Sequence, residues 1–207
     1  MRSVILAVEN CVFLALWLGA PVALAQGPWA QSYQFESLGQ YGLAIQALEP
    51  IVDAEPAHEF AILRSAWLKY LNGDYNASIR DYRRAVELND ESLEAQLGLT
   101  LPLLAQRRWR EAAGAAQEVL TVAPWNYYAH LRLMVAEEGL SQWRTLATHA
   151  REVAAHYPSD ATLLVYLARA EARQGNAEIA LSVFADVLER VPSHEEALAF
   201  VARNASR

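Results

Sequence analysis

The sequence predicts an all-α solenoid, a row of helix pairs stacked side by side, and two observations support this prediction. The first is a recurring closing position, since segments of similar pattern end 34 residues apart, at Pro56, Asp90, Pro124, Pro158 and Pro192. The second is an apolar stripe at helical spacing within each segment. A period of this size is typical of stacked helix pairs, because a single pair cannot bury both of its apolar faces without neighbours.

The N-terminal residues 1–25 are predicted to be a signal peptide. Arg2 and an apolar stretch precede small residues at Ala23 and Ala25, which suit cleavage between Ala25 and Gln26. The alternative is an uncleaved membrane anchor, but the apolar run is shorter than the ~20 residues that a spanning helix needs. We therefore expect a periplasmic or secreted protein, whose only membrane contact would be through an unprocessed N-terminus.

Composition narrows the function classes. The net charge of −7 and the pI near 5.3 argue against a nucleic-acid partner, whose binding surface would be basic. The only cysteine, Cys11, lies in the predicted signal peptide, so the mature chain has no disulfide. With 54% hydrophobic residues, the chain can be held together by packing alone.

Glycines and polar breaks divide residues 26–207 into five helix pairs and one last helix. The predicted helices are 28–38 and 41–54, 58–71 and 75–88, 91–105 and 109–122, 125–140 and 143–156, 159–173 and 177–190, and finally 193–205.

Local start and stop signals agree with these divisions. Gly39, Gly73 and Gly175 fall where the first helix of a pair turns back, a position that favours left-handed backbone. The dipeptide 159–160 and Ser193 precede apolar periodic runs, as N-cap residues do. Pro102 lies within a predicted helix, where we expect a kink.

The second helix of each pair presents a repeated buried face. Its first inward position is mostly small, which allows two helices to approach closely: Ala44, Ser78, Ala112, Leu146 and Ala180. The next inward position, four residues later, holds Leu48, Tyr82, Ala116, Ala150 and Phe184. Because these spacings place the positions on one face of a helix, we expect both columns to be core.

These columns and turns resemble the tetratricopeptide repeat (TPR). The pattern of that family is a Gly-Asp-Tyr-like turn, then Ala, an aromatic residue, a small residue and a closing Pro, and it is almost complete in 73–90 and again in 175–192. It is weaker in the fourth repeat, where Leu146 replaces the small residue and Ser141 the glycine.

The resemblance implies a right-handed superhelix of about five repeats followed by a capping helix, 193–205. The repeats would span about 25–58, 59–92, 93–126, 127–160 and 161–194. It also implies that the first helices line a concave groove that holds a protein or peptide partner, and that no cofactor or metal is needed.

Carrying the exposed stripe of the family's first helices onto this chain predicts a groove that is apolar and aromatic over its N-terminal two-thirds and basic at its far end. Its residues would be Trp29, Tyr33, Phe60, Leu63, Trp67, Tyr70, Leu97, Leu101, Leu104, Tyr128, Leu131, Val135, Arg169 and Arg173. The alternative is that some of these aromatics, Trp67 above all, pack between repeats. Cytosolic family members clamp C-terminal carboxylates with Lys and Asn, which this stripe lacks, so we exclude that mode.

Enzyme and metal-site signals are missing from the sequence. There is no Gly-rich phosphate loop, nucleophile elbow or His-Glu-x-x-His helix. His149 and His156 could share a helix face, but ordinary surface histidines explain them better. Glu137 and Glu138 are adjacent on a helix and so point apart, which indicates a solvated face.

The sequence therefore predicts a non-enzymatic adaptor. Its groove would hold an apolar peptide or helix of a partner, with Arg169 and Arg173 receiving an acidic end, in a complex for cell-envelope assembly, export or maturation. The alternative function is a self-associating scaffold, in which the groove of one copy accepts the terminal helix 193–205 of another.

Overall fold

The structure, a computed structural model, describes residues 27–54 and 56–204. Within that part it consists of eleven α-helices and no strands: α1 (Pro28–Ser37), α2 (Tyr41–Val52), α3 (Glu59–Leu71), α4 (Tyr75–Leu88), α5 (Leu93–Ala105), α6 (Trp109–Val122), α7 (Tyr127–Gly139), α8 (Trp143–His156), α9 (Ala161–Arg173), α10 (Ala177–Arg190) and α11 (Glu195–Asn204). The predicted signal peptide and its cleavage site lie outside the described residues. Among the helices described, none is both long and apolar enough to cross a membrane.

The helices form a stack of five antiparallel pairs that α11 closes. Each helix packs against the next one along the chain, and α3, α5, α7 and α9 also contact one another in succession. The first helices of the pairs therefore approach each other more closely than the second helices do, which places them on the inner side of a curved stack. This is the all-α superhelical repeat fold that the sequence predicts.

A side-chain cap recurs every 34 residues, at the beginning of α3, α5, α7, α9 and α11. The caps are His58, Ser92, Asn126, Asp160 and His194, whose side chains accept hydrogen bonds from the backbone N–H groups three residues later at 3.0 to 3.4 Å. These bonds satisfy amides that have no partner inside the helix. The prediction that Asp160 is an N-cap is confirmed. The prediction for Ser193 is wrong, because the imidazole Nδ1 of His194 caps α11.

Left-handed backbone also recurs every 34 residues, at the turn inside each pair. Gly39, Gly73 and Gly175 have φ of 70°, 84° and 86°, as their sequence context predicts. Arg107 and Ser141 hold the same conformation with φ of 57°. The turn geometry is thus kept in the two repeats that have lost the glycine, although a Cβ makes that conformation less favourable.

The core runs along the stack between the two layers. The two predicted columns of the second helices are buried throughout, with side chains no more than 3% exposed. The facing column of the first helices is fully buried at Ser32, Ala66, Thr100, Met134 and Ala168.

Two prolines lie inside helices rather than after them. α5 continues through Pro102 to Ala105, and α2 continues through Pro50 to Val52. Each helix ends two or three residues after its proline. The backbone hydrogen bond that the proline cannot donate is therefore lost only near the end of the helix.

Candidate binding surface

The inner surface carries a cavity of about 380 Å³ formed by the first three repeats together with the start of the fourth. Six of the predicted groove residues line it: Tyr33, Phe60, Leu63, Trp67, Leu97 and Leu101. Five further lining residues were not predicted as groove: Arg64, Tyr82, Glu94, Gly98 and Arg132. The cavity is therefore mainly apolar and aromatic with two guanidinium groups in its wall.

The mouth of the cavity is formed by exposed aromatic side chains. Tyr33 is 50% exposed and Phe60 is 45% exposed. The ring of Phe60 stacks against Trp29, with 5.3 Å between centroids, so it is supported from one side and open on the other. Large rings of this kind, rigid and half-solvated, are what binding grooves use as anchors.

Other predicted groove residues take part in packing between repeats. Leu63 is only 6% exposed. Trp67 packs on the core of the first two repeats, and its indole Nε1 donates to the Glu36 carboxylate at 2.9 Å. Leu104 and Leu131 pack, half-buried, against core clusters of later repeats. Such residues expose one edge of the side chain to the groove, and the remainder of the side chain packs against the core.

Three of the predicted groove residues lie outside the cavity but on its flanks. Tyr70 contacts the ring of Trp67, with 5.7 Å between centroids. Tyr128, at the start of α7, is 61% exposed, and Val135 on the same helix is half-buried. An apolar track therefore continues beyond the cavity along α7.

Gly98 makes room for the ring of Tyr82 in the wall of the cavity. A Cβ atom at this position would lie 2.2 Å from Cε1 of Tyr82, which crosses from α4 and is 3% exposed. The phenol of Tyr82 thus takes the space that a side chain at position 98 would need. Its burial raises the pKa of the Tyr82 hydroxyl, which stays protonated.

Arg169, one of the two arginines at the basic end of the predicted groove, is already paired with acids of the same chain. Arg169 donates from Nη2 to Glu196 of α11 at 2.6 Å and lies 3.7 Å from Glu138. These carboxylates raise the pKa of Arg169, and Arg169 in turn lowers the pKa of Glu196. The expectation that Arg169 receives an acidic end of a partner is corrected here, because Glu196 occupies that role. Arg173 is exposed and lies 5.4 Å from the ring of Trp143.

The terminal helix α11 is packed onto its own chain. Ala197 is fully buried, and Phe200 contacts Phe184 with 4.8 Å between ring centroids. Together with the pair between Glu196 and Arg169, these contacts make α11 a cap on the last repeat. Self-association through this helix stays a prediction. It would require α11 to break these contacts within its own chain or to replace them with contacts to another copy.

A buried polar chain, which the sequence patterns did not predict, lies between α7 and α8. His130 Nδ1 lies 2.9 Å from Nε2 of His149, whose Nδ1 lies 2.9 Å from a carboxylate oxygen of Glu137. Glu137 is 5% exposed, so its interpretation as solvated is wrong. Their spacing in the sequence could have indicated this cluster, because His130 and Glu137 are seven residues apart on α7 and share the face toward α8.

The hydrogen bonds in this chain assign its protons. Nε2 of His130 lies 2.9 Å from the Pro124 carbonyl, which can only accept, so that nitrogen carries a proton. Burial lowers the pKa of His130, which keeps its Nδ1 as an acceptor. His149 then donates from Nε2 to His130, and its Nδ1 faces the carboxylate of Glu137 at 2.9 Å. No group of three potential ligands able to hold a metal occurs in the part of the chain that the structure describes.

The comparisons with known proteins agree with this architecture. A tetratricopeptide repeat family model matches residues 63–124 and 136–195, which together make up more than half of the chain. A search of curated proteins finds no match.

Among solved structures, MamA 41-end from Desulfovibrio magneticus RS-1 is similar with a TM-score of 0.73 and 18% identity, covering 79% of this chain and 93% of that one. TTC0263, a thermophilic TPR protein from Thermus thermophilus, has a TM-score of 0.60 and 18% identity, covering 86% and 97%. At such identities the likeness shows the fold alone. TPR proteins are generally non-enzymatic interaction modules, and this chain belongs to the tetratricopeptide repeat family.

Proposed function

We propose that this protein is an adaptor that binds an apolar segment of a partner protein along its inner surface, anchored in the cavity beneath Tyr33 and Phe60. The observation that carries the proposal is an open, mainly apolar cavity with half-exposed rings at its mouth. Exposed apolar surface of this kind is unfavourable in water unless a partner covers it. Extended or helical peptides are the ligands that such grooves accept.

The apolar track supports a segment rather than a single side chain. It runs from the cavity to Tyr128, 61% exposed, and on to Val135 of α7. An extended peptide rises about 3.3 Å per residue, so several consecutive residues would contact several first helices in turn. One anchor side chain would enter the cavity while its neighbours lie along the track.

Binding of a blocked decapeptide rich in Leu and Phe, measured by calorimetry with the purified protein, tests this proposal. We expect Phe60→Ala to weaken binding by about fivefold or more, because removing an aromatic anchor costs at least about 1 kcal/mol. Ile179→Ala is the matched control, since Ile179 is 48% exposed but lies on α10, outside the cavity. Equal affinity of the parent and Phe60→Ala would show that the cavity is not the binding site.

We also propose that the adaptor works in the cell envelope, in assembly, export or maturation of other proteins. The support is the predicted signal peptide, residues 1–25. Expression of the full chain in a bacterium, followed by fractionation and mass measurement, tests this. We expect a periplasmic product that begins at Gln26, and an intact N-terminus in the cytoplasm would contradict it.

A further inference from the structure

Arg64 and Arg132 occupy the same position of the repeat, two 34-residue steps apart, and both line the cavity. Each donates to a hydroxyl 32 residues earlier in the chain: Arg64 Nε to Ser32 Oγ and Arg132 Nη1 to Thr100 Oγ1, both at 3.2 Å. The two sites are therefore copies of one arrangement, and their differences are informative.

Arg64 is neutralised within the chain. Its Nη2 lies 2.9 Å from the carboxylate of Glu36, an ion pair without the geometry of a hydrogen bond, and its guanidinium lies over the ring of Tyr33, with 3.4 Å to the ring centroid. A buried cation that has both a carboxylate and an aromatic face is well compensated for its lost hydration.

Arg132 lacks both of these partners. Leu104 stands at the repeat position of Glu36, and Leu101 at that of Tyr33. Over the residues that the structure describes, no carboxylate forms an ion pair with Arg132, and its buried Nε has no hydrogen-bond partner. Burial lowers the pKa of Arg132, which nonetheless remains charged because a guanidinium keeps its proton in proteins. The site therefore holds a partly desolvated cation without an anion, an unfavourable state that a ligand can relieve.

We infer that Arg132 is an anion-accepting anchor, and that it receives the carboxylate of an Asp or Glu side chain lying within an apolar segment of a partner protein. This inference rests on the proposed function and specifies the ligand of the same cavity. The ligand would supply Arg132 with a carboxylate from another chain, as Glu36 supplies one to Arg64 within this chain.

The surroundings of Arg132 favour an internal acidic side chain over a chain end. Apolar surface continues on both sides of it, toward Phe60 in one direction and toward Tyr128 in the other. Arg132 lines the open cavity, whereas the Tyr82 phenol fills the place that a side chain at position 98 would take. Glu94 also lines the cavity, but it is exposed and remains solvated, so it leaves the guanidinium to a ligand.

The first test uses two small probes of the same size, the anionic 3-phenylpropionate and the neutral 3-phenylpropanamide, titrated into the purified protein by NMR. We expect the carboxylate to bind about tenfold or more tightly than the amide, the usual gain for a charge-assisted hydrogen bond. In Arg132→Gln this preference should be lost. In Leu104→Glu it should also be lost, because the new carboxylate copies the place of Glu36 and satisfies Arg132 internally.

Two controls keep this test independent of folding. Leu88→Glu adds the same charge at an exposed site on α4, away from the cavity, and should keep the full preference. Glu94→Gln should keep or increase it, because a competing negative charge is removed. Circular dichroism identifies any variant that fails to fold, and Leu104→Glu and Arg132→Gln test the same point by opposite changes.

Each outcome has a defined meaning. Equal binding of acid and amide to the parent overturns this inference but remains consistent with the proposed binding of an apolar segment. Binding of neither probe overturns both the inference and the proposed function. A preference that survives in Arg132→Gln overturns the assignment of the anion to this residue.

The second test uses blocked pentapeptides with Glu or Gln between two Leu residues, and a third peptide whose only carboxylate is its free C-terminus. We expect the Glu peptide to bind about tenfold or more tightly than the other two. A preference for the free C-terminus alone would overturn the internal side chain as ligand. A dimer that dissociates in Arg132→Gln would assign the site to a second copy and overturn the proposal.

Discussion

The second and fourth repeats close their helix pairs in opposite ways. In the second repeat the two facing positions are Ala66 and Ser78, both fully buried, and Ser78 Oγ donates to the Ala66 carbonyl at 2.7 Å. In the fourth repeat the same two positions hold Met134 and Leu146, also fully buried. Accordingly α7 and α8 approach each other less closely than the helices of the other pairs.

A polar chain occupies the wider seam of the fourth repeat. His130, His149 and Glu137 bridge α7 and α8 there, linked end to end by hydrogen bonds of 2.9 Å. The repeat period and the spacing within a pair therefore have separate causes. Caps and turns set the period through the backbone, whereas the side chains at two facing positions set how closely the helices pack.

The largest effect should come from Leu146→Ala, which restores the family's small residue in the fourth repeat. Because Met134 and α8 stay where they are, the change leaves a cavity, and we expect a loss of about 3 to 4 kcal/mol in the free energy of unfolding. Chemical denaturation measures it, with Leu88→Ala at an exposed site as the control. A loss below about 1 kcal/mol would mean that the wide spacing does not depend on Leu146.

The converse change, Ser78→Leu, should destabilise the second repeat by about 2 to 3 kcal/mol. The seam beside Ala66 has no space for a larger side chain, and the hydrogen bond to the Ala66 carbonyl is lost as well. Thermal unfolding measures the effect, and Ser182→Leu on the exposed face of α10 should change little. A stable Ser78→Leu protein would show that the pair can widen freely.

Acidification should weaken the fourth repeat through His130. Burial lowers its pKa in the folded state below the ordinary value of 6.5, so the unfolded chain takes up a proton first as the pH falls. The stabilisation is therefore complete above about pH 6.5 and is lost as the pH falls below that value. Hydrogen exchange of α7 and α8 between about pH 7.5 and about pH 5.5, on either side of that value, measures it. His130→Asn should show a smaller pH dependence, and an equal one would contradict the assignment.

The smallest effect should come from the turn of the fourth repeat. Ser141 holds a left-handed backbone where Gly73 stands in the second repeat. We expect Ser141→Gly to stabilise the protein by about 0.5 to 1 kcal/mol, and Gly73→Ser to destabilise it by a similar amount, because a Cβ disfavours this conformation. Opposite shifts of the melting temperature would confirm that the turn geometry is the same in both repeats.

Much of the fold could be predicted because its causes are local and repeated. The helices lie within a few residues of their predicted bounds, and the left-handed turns at Gly39, Gly73 and Gly175 follow from residue type alone. The cap at His194 was missed because histidine is an uncommon N-cap and Ser193 beside it is a better one by residue preference.

The candidate site was only partly predictable. The apolar lining follows from the stripe of the first helices, and six of its predicted residues do meet in one cavity. Arg64 and Arg132 were missed because a cation on a helix face is normally assigned to solvent. Arg169 was expected to be free because its partner, Glu196, comes 27 residues later on another helix.

The sequence alone determines that this chain is a stack of helix pairs. The reason is that the 34-residue period, the turn residues and the buried columns are short-range patterns that recur in each of the five repeats. Only the tertiary structure decided which charges are satisfied. Whether an arginine has a carboxylate beside it depends on which repeat supplies the facing residue, Glu36 for Arg64 and Leu104 for Arg132. Electrostatic pairing acts over a few ångströms in space, and the chain brings those atoms together only after it has stacked.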